Sequence, residues 1–194
     1  MRTFAIYKPY GVLSQFTSED GHPGLLDLGL GVPKDVWPIG RLDRDSEGLL
    51  LLTNDNHLKR TLTEPERDHR KTYWVQVEGA PTDGDIEPLR HPMHLRIRKN
   101  DTVTKPAEAR LLNPPDVPER IPPIRKRLLI PTTWLSIALT EGKNRQIRKM
   151  TAQIGFPTLR ILRVGIGSLN LSKLHLAPGE CRKLTAEEVL RLQQ

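Results

Sequence analysis

Asp43 sits between two arginines, in the stretch Gly40-Arg41-Leu42-Asp43-Arg44-Asp45-Ser46-Glu47-Gly48, directly before four consecutive leucines at 49–52. Neighbouring guanidinium groups favour the charged form of a carboxylate. An ionised carboxylate beside a segment rich enough in leucine to be buried is a candidate nucleophile or base. Taken by itself the same pattern also describes a surface ion pair, which does no chemistry.

Two further groups of residues have chemical potential. A helix over 144–154 would gather Arg145, Arg148 and Lys149 on one face and Ile147, Met150 and Ile154 on the other. Its start, Glu141-Gly142-Lys143-Asn144-Arg145, offers free N–H groups, cationic side chains and the positive end of the helix dipole, which together suit an anion. The plain alternative is a solvated helix face. In the strand over 70–77, alternation places Lys71, Tyr73, Val75 and Val77 on one side and Thr72, Trp74 and Gln76 on the other. A tyrosine there can stack on a planar base while its phenol makes a hydrogen bond; it can equally be a core-edge side chain. No metal is expected: His91 and His94 flank Pro92, and no acidic or thiol ligand is expected beside them. Walker-type and dinucleotide glycine fingerprints are absent.

Composition narrows the partners. The net charge of +7 is unevenly spread: residues 1–97 carry 12 basic and 15 acidic side chains, residues 98–194 carry 18 and 8. A basic second half points to a polyanion, most simply nucleic acid. Aromatics are only 5%, too few for a surface built of stacking rings. No apolar run reaches the roughly 18 residues of a membrane span. The N-terminus enters a strand without the features of a secretory signal. The single Cys181 fits a reducing compartment, so the expected location is the cytoplasm.

The elements that must position these residues alternate irregularly. Strands are expected over 3–7, 36–42, 49–53, 70–77, 94–98, 108–112 and 134–140, with two more within 158–171. Helices are expected over 56–62, 83–89, 144–154 and 185–192, the last opened by the capping-box pair Thr185 and Glu188. Residues 17–35 read as a loop. Residues 113–131 hold six prolines and the cluster Arg125-Lys126-Arg127, which predicts an extended excursion: either an exposed connector or a basic arm against nucleic acid. Mixed strands and helices without βαβ regularity give an α+β class with a largely antiparallel or mixed sheet.

Four segments resemble the RsuA-type pseudouridine synthases: Lys8-Pro9-Tyr10-Gly11-Val12; Gly40-Arg41-Leu42-Asp43 with Asp45-Ser46-Glu47-Gly48-Leu49-Leu50; Lys71-Thr72-Tyr73; and Glu141-Gly142-Lys143-Asn144-Arg145-Gln146-Ile147-Arg148-Lys149-Met150. The resemblance implies the α+β catalytic fold of that family, a central, mainly antiparallel mixed sheet with flanking helices and a cleft. It implies one catalytic domain over 1–194, or two pseudo-repeated subdomains. Many relatives carry an N-terminal RNA-binding domain; the Lys-Pro motif begins here at residue 8, so none is expected. The most similar branch acts on large-subunit, 23S, ribosomal RNA.

That resemblance also implies roles. Asp43 would be the essential carboxylate, Tyr73 would stack on the target uracil and assist proton transfer, and Arg148 would pair with Asp43. Arg41 and Lys71 would support them, and Arg44, Lys143, Asn144, Arg145 and Lys149 would bind the RNA. Arg160 and Arg163 are further candidates for phosphate contact, as is the excursion around 120–127 in place of the missing domain. No cofactor is implied, nor a membrane, and the chain is expected to act as a monomer. Asp43 could open the reaction by attacking sugar or ring, or by taking a sugar proton. The competing readings are a non-catalytic RNA-binding or ribosome-assembly protein and a metal-dependent nuclease; for the latter, Asp43 and Asp45 lack a third ligand.

Overall fold

The structure is a computed structural model that describes residues 1–64, 68–124, 127 and 129–193. The chain divides into two compact units, Met1–His69 with Leu162–Gln194, and Arg70–Ile161.

The first unit is built on β3 (Glu47–Thr53), whose Leu49, Leu50, Leu51 and Leu52 are all 0% exposed. A half-buried strand would alternate apolar and polar residues; a continuous leucine run belongs to a strand covered on both faces. β1 (Thr3–Lys8) lies antiparallel along one edge of β3, from Thr3 opposite Thr53 to Lys8 opposite Gly48. The other edge is divided. β2 (Trp37–Ile39) pairs antiparallel with Leu51–Thr53, and β9 (Thr158–Ile166) pairs in parallel with Glu47 and Gly48; β10 (Leu169–Asn170) pairs back antiparallel with Gly165 and Ile166 at the end of β9. The connection 40–46 therefore leaves the edge of β3 where β9 takes its place. α1 (Asn56–Thr63) starts on Asp55, whose carboxylate accepts from the His57 and Leu58 N–H groups. α4 (Ala186–Leu192) has the expected Thr185–Glu188 capping box. Glu188 also takes both terminal nitrogens of Arg182, and the Arg182 guanidinium holds its carboxyl down at about 2.

In the second unit β4 (Lys71–Glu78), β8 (Thr132–Leu139) and β7 (Glu108–Leu112) form an antiparallel sheet, with the start of β9 on the outer side of β4. One sheet face carries Val75, Val77, Leu135, Ile137 and Leu139, packed against Ile147 and Met150 of α3 (Gln146–Gln153) and against Ile86 and Leu89. β5 (His94–Ile97) and β6 (Asn100–Val103) form a separate hairpin.

Three local departures from the sequence pattern have physical causes. The segment over 83–89 is α2 (Asp83–Ile86) followed by a 3-10 turn, Glu87–Arg90, because Pro88 lacks the N–H an α-helix would need there. The helix over 144–154 begins at Gln146, since Arg145 takes a left-handed φ of 51°. β6 and β11 (Cys181–Lys183) were not legible as strands: β6 is polar and largely exposed, and β11 is three residues held on the outer edge of β1. Among the described residues no helix is long and apolar enough to cross a membrane.

Gly48 is the tightest point of the first unit. Its φ is +106°, and a Cβ there would lie 2.3 Å from the Arg163 carbonyl oxygen and 2.7 Å from its nitrogen. Both obstacles are backbone of the neighbouring strand, so neither yields by a rotamer change. Gly48→Ala is expected to cost roughly 3 kcal/mol or more of stability, read as a lowered urea midpoint; an unchanged midpoint would contradict the close approach of the two strands.

Candidate active site

Asp43 lies on the connection between β2 and β3, half-exposed, and its flanking backbone is tied to the segment after β1. The Ser14 hydroxyl donates to the Leu42 carbonyl at 2.8 Å and accepts from the Leu42 N–H at 3.0 Å. The Arg44 carbonyl accepts from the Gly11 N–H at 2.8 Å. The Asp43 carbonyl accepts from the Ser46 N–H at 3.0 Å, closing the turn. Arg44 reaches outward, its Nη1 2.9 Å from His22 Nδ1, and Arg41 is exposed.

Beneath this connection is Lys8, 0% exposed. Its Nζ donates to the carbonyls of Val12 at 2.7 Å and Pro9 at 3.0 Å, with a longer contact to Arg44 at 3.5 Å. Burial pulls its pKa down from 10.5 to about 7; Glu47, Asp45 and Asp43 act against that shift, and Arg163 reinforces it. The carbonyl oxygens at Nζ and the nearby carboxylates offset part of the cost of burying the charge.

The second unit holds the remaining candidates. Tyr73, half-buried, packs against the Val75, Ile137 and Ile147 cluster, on the same side of the sheet as α3. Lys71, two residues before it on β4, is also half-buried. Arg148 on α3 is half-buried, with Nη1 3.5 Å from the Thr158 carbonyl. Lys149 is half-buried, and Asn144 and Arg145 are exposed in the turn ahead of α3. That turn is organised by Glu141: its carboxylate takes the Lys143 ammonium, the Gln146 side-chain amide at 2.6 Å and the Lys105 N–H at 2.8 Å. Lys143 thereby helps hold the turn. Within α3, Ile147 and Met150 are buried and Arg148 and Lys149 half-buried, as the sequence predicts; Arg145, expected on the same helix face, stands ahead of the helix.

Comparison with known proteins decides what these residues belong to. Residues 2–153 match the family model described as RNA pseudouridylate synthase. The chain belongs to that family. It is 50% identical over 179 residues to the ribosomal large subunit pseudouridine synthase E of Vibrio vulnificus, covering 92% of this chain and 73% of the relative. Against the protein of the same name from Xanthomonas axonopodis pv. citri it is 49% identical over 168 residues, 86% of each. A solved pseudouridylate synthase superposes with a TM-score of 0.78 at 25% identity, over 98% of this chain and 73% of that one. The α+β fold and the RNA-isomerising enzyme class follow.

For a pseudouridine synthase with a basic second half, two expected phosphate contacts are ruled out by burial. Arg160 and Arg163 are 4% and 3% exposed. Arg160 Nη2 donates to the Pro118 carbonyl at 2.9 Å, and Arg163 Nε to the Leu49 carbonyl at 2.7 Å. Both fasten chain segments and cannot reach a phosphate at the surface. The described residues of the 113–131 excursion are similarly tied down: Arg120 donates to the carbonyls of Pro122, Pro123 and Leu159, and Arg127 meets Glu78 at 3.3 Å. Arg125 and Lys126 of its basic cluster lie outside the described residues. Together with Gln76, Thr132 and Arg160, the excursion lines a cavity of about 300 Å³. Gln76 and Tyr73 point to opposite faces of β4, so the excursion covers the sheet face away from Tyr73. The histidine pair also differs from expectation: His91 does have an acidic neighbour, with Nε2 3.1 Å from Glu87.

Lys8, Ser14 and Glu141 escaped the search for functional side chains. Lys8 and Glu141 stand inside motifs that flagged their neighbourhood, but nothing in the pattern says that the lysine points inward. Ser14 carries no signal at all.

The buried Lys8 makes a pH prediction. Its folded pKa lies below the unfolded 10.5, so the unfolded chain binds the proton more readily between about pH 7 and 10.5. The burial penalty is present in full below about pH 7 and is relieved as pH rises through that window. Wild type is therefore expected to gain stability relative to Lys8→Met between about pH 6 and about pH 9.5, measured by paired urea titrations. A stability difference independent of pH would contradict the lowered pKa of Lys8.

Proposed function

We propose that this chain converts a uridine of large-subunit, 23S, ribosomal RNA to pseudouridine in the cytoplasm, with Asp43 as the essential carboxylate. The observation that carries the substrate is the 50% identity, across 92% of the chain, to a protein named a ribosomal large subunit pseudouridine synthase. The two compact units would act together as one catalytic domain.

The chemistry needs no outside reagent. Within one nucleotide the bond from ribose C1′ to uracil N1 breaks and a bond from C1′ to C5 forms; N1 gains a proton and C5 loses one. Atoms and electrons balance without oxidant, reductant or group donor, which supports a cofactor-free reaction. A uridine in folded RNA must first leave its stack, at a cost of a few kcal/mol. Cationic side chains of the exposed turn before α3, Arg145 among them, would offset that cost through phosphate contacts. Tyr73 would stack on the extruded uracil, its ring braced from behind by the Val75–Ile137 cluster. Arg148 is the proposed guanidinium partner of the Asp43 carboxylate, with Arg41, Arg44, Lys71, Lys143, Asn144 and Lys149 as the RNA-binding set.

Asp43→Asn is expected to abolish pseudouridine formation in ribosomal RNA while RNA affinity changes by no more than about twofold, since one neutralised carboxylate removes no phosphate contact. Mapping pseudouridine after incubation with the transcript reads the outcome, and turnover by that variant would sink the assignment. The non-catalytic reading, which rests on charge alone, requires wild type to bind the RNA and alter no uridine. Tyr73→Phe keeps the ring and loses the phenol; if the hydroxyl assists proton transfer, the single-turnover rate falls by about 10²-fold or more with RNA affinity retained. An unchanged rate would confine Tyr73 to stacking.

A further inference from the structure

The residues on either side of Asp43 are held by groups that the assigned site does not include. At Leu42, one hydroxyl makes both bonds: Ser14 Oγ donates to the carbonyl at 2.8 Å and accepts from the N–H at 3.0 Å. Ser14 is 6% exposed and Leu42 is buried, so no solvent stands ready to replace either bond. At Arg44, the carbonyl takes the Gly11 N–H at 2.8 Å and lies 3.5 Å from Lys8 Nζ. All three donors come from residues 8–14, the end of β1 and the turn after it. Asp43 is thus held through the peptide unit before it and, one residue further on, through the Arg44 carbonyl, by one short segment.

We propose that Ser14 is a positioning residue for the isomerisation: its hydroxyl clamps Leu42, against the Gly11 and Lys8 anchor at Arg44, so that the Asp43 carboxylate is presented in the reacting geometry. This rests on Asp43 being the essential carboxylate. A hydroxyl suits the task because it donates and accepts at once. Removing it leaves a buried N–H and a buried carbonyl to find other partners, which shifts the loop. A displacement of about 1 Å in a reacting group can cost on the order of 10²-fold in rate. Binding of the RNA depends much less on that register, because most of the proposed RNA contacts, Lys71, Lys143, Asn144, Arg145 and Lys149, lie on other segments.

The test compares wild type, Ser14→Ala, Ser14→Thr and Asp43→Asn on a 23S ribosomal RNA transcript. Single-turnover rates are measured at saturating enzyme, alongside RNA dissociation constants and melting temperatures. The expected result is a fall of roughly 10- to 100-fold in the rate constant for Ser14→Ala, a dissociation constant within about twofold of wild type, and recovery of most of the rate in Ser14→Thr, which restores the hydroxyl. A rate for Ser14→Ala equal to wild type overturns the proposal, as does a loss that follows only the folded fraction. If Ser14→Ala does not stay folded at the assay temperature, Ser14→Cys replaces it; its thiol is a weak donor and acceptor, and a rate well below that of Ser14→Thr is expected. Full turnover by Asp43→Asn would overturn the reading of Asp43 itself, whereas an inactive Asp43→Asn with a fully active Ser14→Ala overturns the clamp alone.

Discussion

A buried lysine is the constraint around which the first unit is arranged. Lys8 ends β1, opposite Gly48 of β3, and has no access to water. Charge taken out of water must be met by dipoles or counter-charge. The carbonyls of Pro9, Val12 and Arg44 supply the dipoles, and Glu47, Asp45 and Asp43 the counter-charge. The shape of the chain follows from that need. The segment after β1 must curl back to aim two carbonyls at Nζ, and the connection carrying Asp43 must lie across it. The glycines fit the same geometry: Gly11 has φ +85°, and Gly48 has φ +106° with no room for a side chain. An acidic loop over a lysine is also stiff, because movement would strip the ammonium of its partners. Stiffness is what a carboxylate needs if it is to meet a reacting atom in one orientation.

The second unit solves a different problem, that of presenting an aromatic ring and a cationic helix from one apolar platform. Alternation along β4 commits Val75 and Val77 to the cluster, and Tyr73 shares their side. α3 reaches the same cluster through Ile147 and Met150, which leaves Arg148 and Lys149 half-buried on its flank, with Arg145 exposed in the turn ahead. Its start is set by Glu141, whose one carboxylate joins the Lys143 ammonium, the Gln146 amide and the Lys105 N–H. The proline-rich excursion lies against the opposite face of the sheet, through Gln76, Thr132 and Arg160. If it meets RNA, it does so away from the base that Tyr73 would stack on, and its contribution would be to affinity and orientation.

The sequence was informative where a single side chain or a period decides structure. The leucine run announced a buried strand. The Thr185–Glu188 pair announced a helix start, and the alternation of 70–77 placed Tyr73 on the core side. It was silent where structure comes from a neighbour far along the chain. Nothing near Ser14 indicates that its hydroxyl closes on Leu42, 28 residues away. Nothing in Lys8-Pro9 distinguishes an exposed lysine from one enclosed by its own following turn. β11 exists because β1 offers an edge, and its three residues have no pattern of their own. The roles of Asp43, Tyr73 and Arg148 came from family resemblance; local electrostatics alone left Asp43 no better than an ion pair.

Charge was the least transferable of the sequence signals. Counting cations treats every arginine as a surface group, and the second half of the chain shows why that overstates the RNA face. Arg160 and Arg163 are enclosed, Arg182 is paired with Glu188, and Arg120 donates to three carbonyls. These side chains are used as multi-donor fasteners, a task for which the guanidinium fork is suited and an ammonium is not. Yet a guanidinium bonded to carbonyls keeps its charge, since a dipole satisfies hydrogen bonds without neutralising the ion. Arg160 and Arg163 are too enclosed to meet a phosphate at the surface, but they still add to the field that draws a polyanion toward it. A basic half can therefore act in two ranges: a long-range attraction that salt screens, to which buried arginines contribute, and short-range contacts, which only exposed groups can make. A cation count reports the first range and says little about the second.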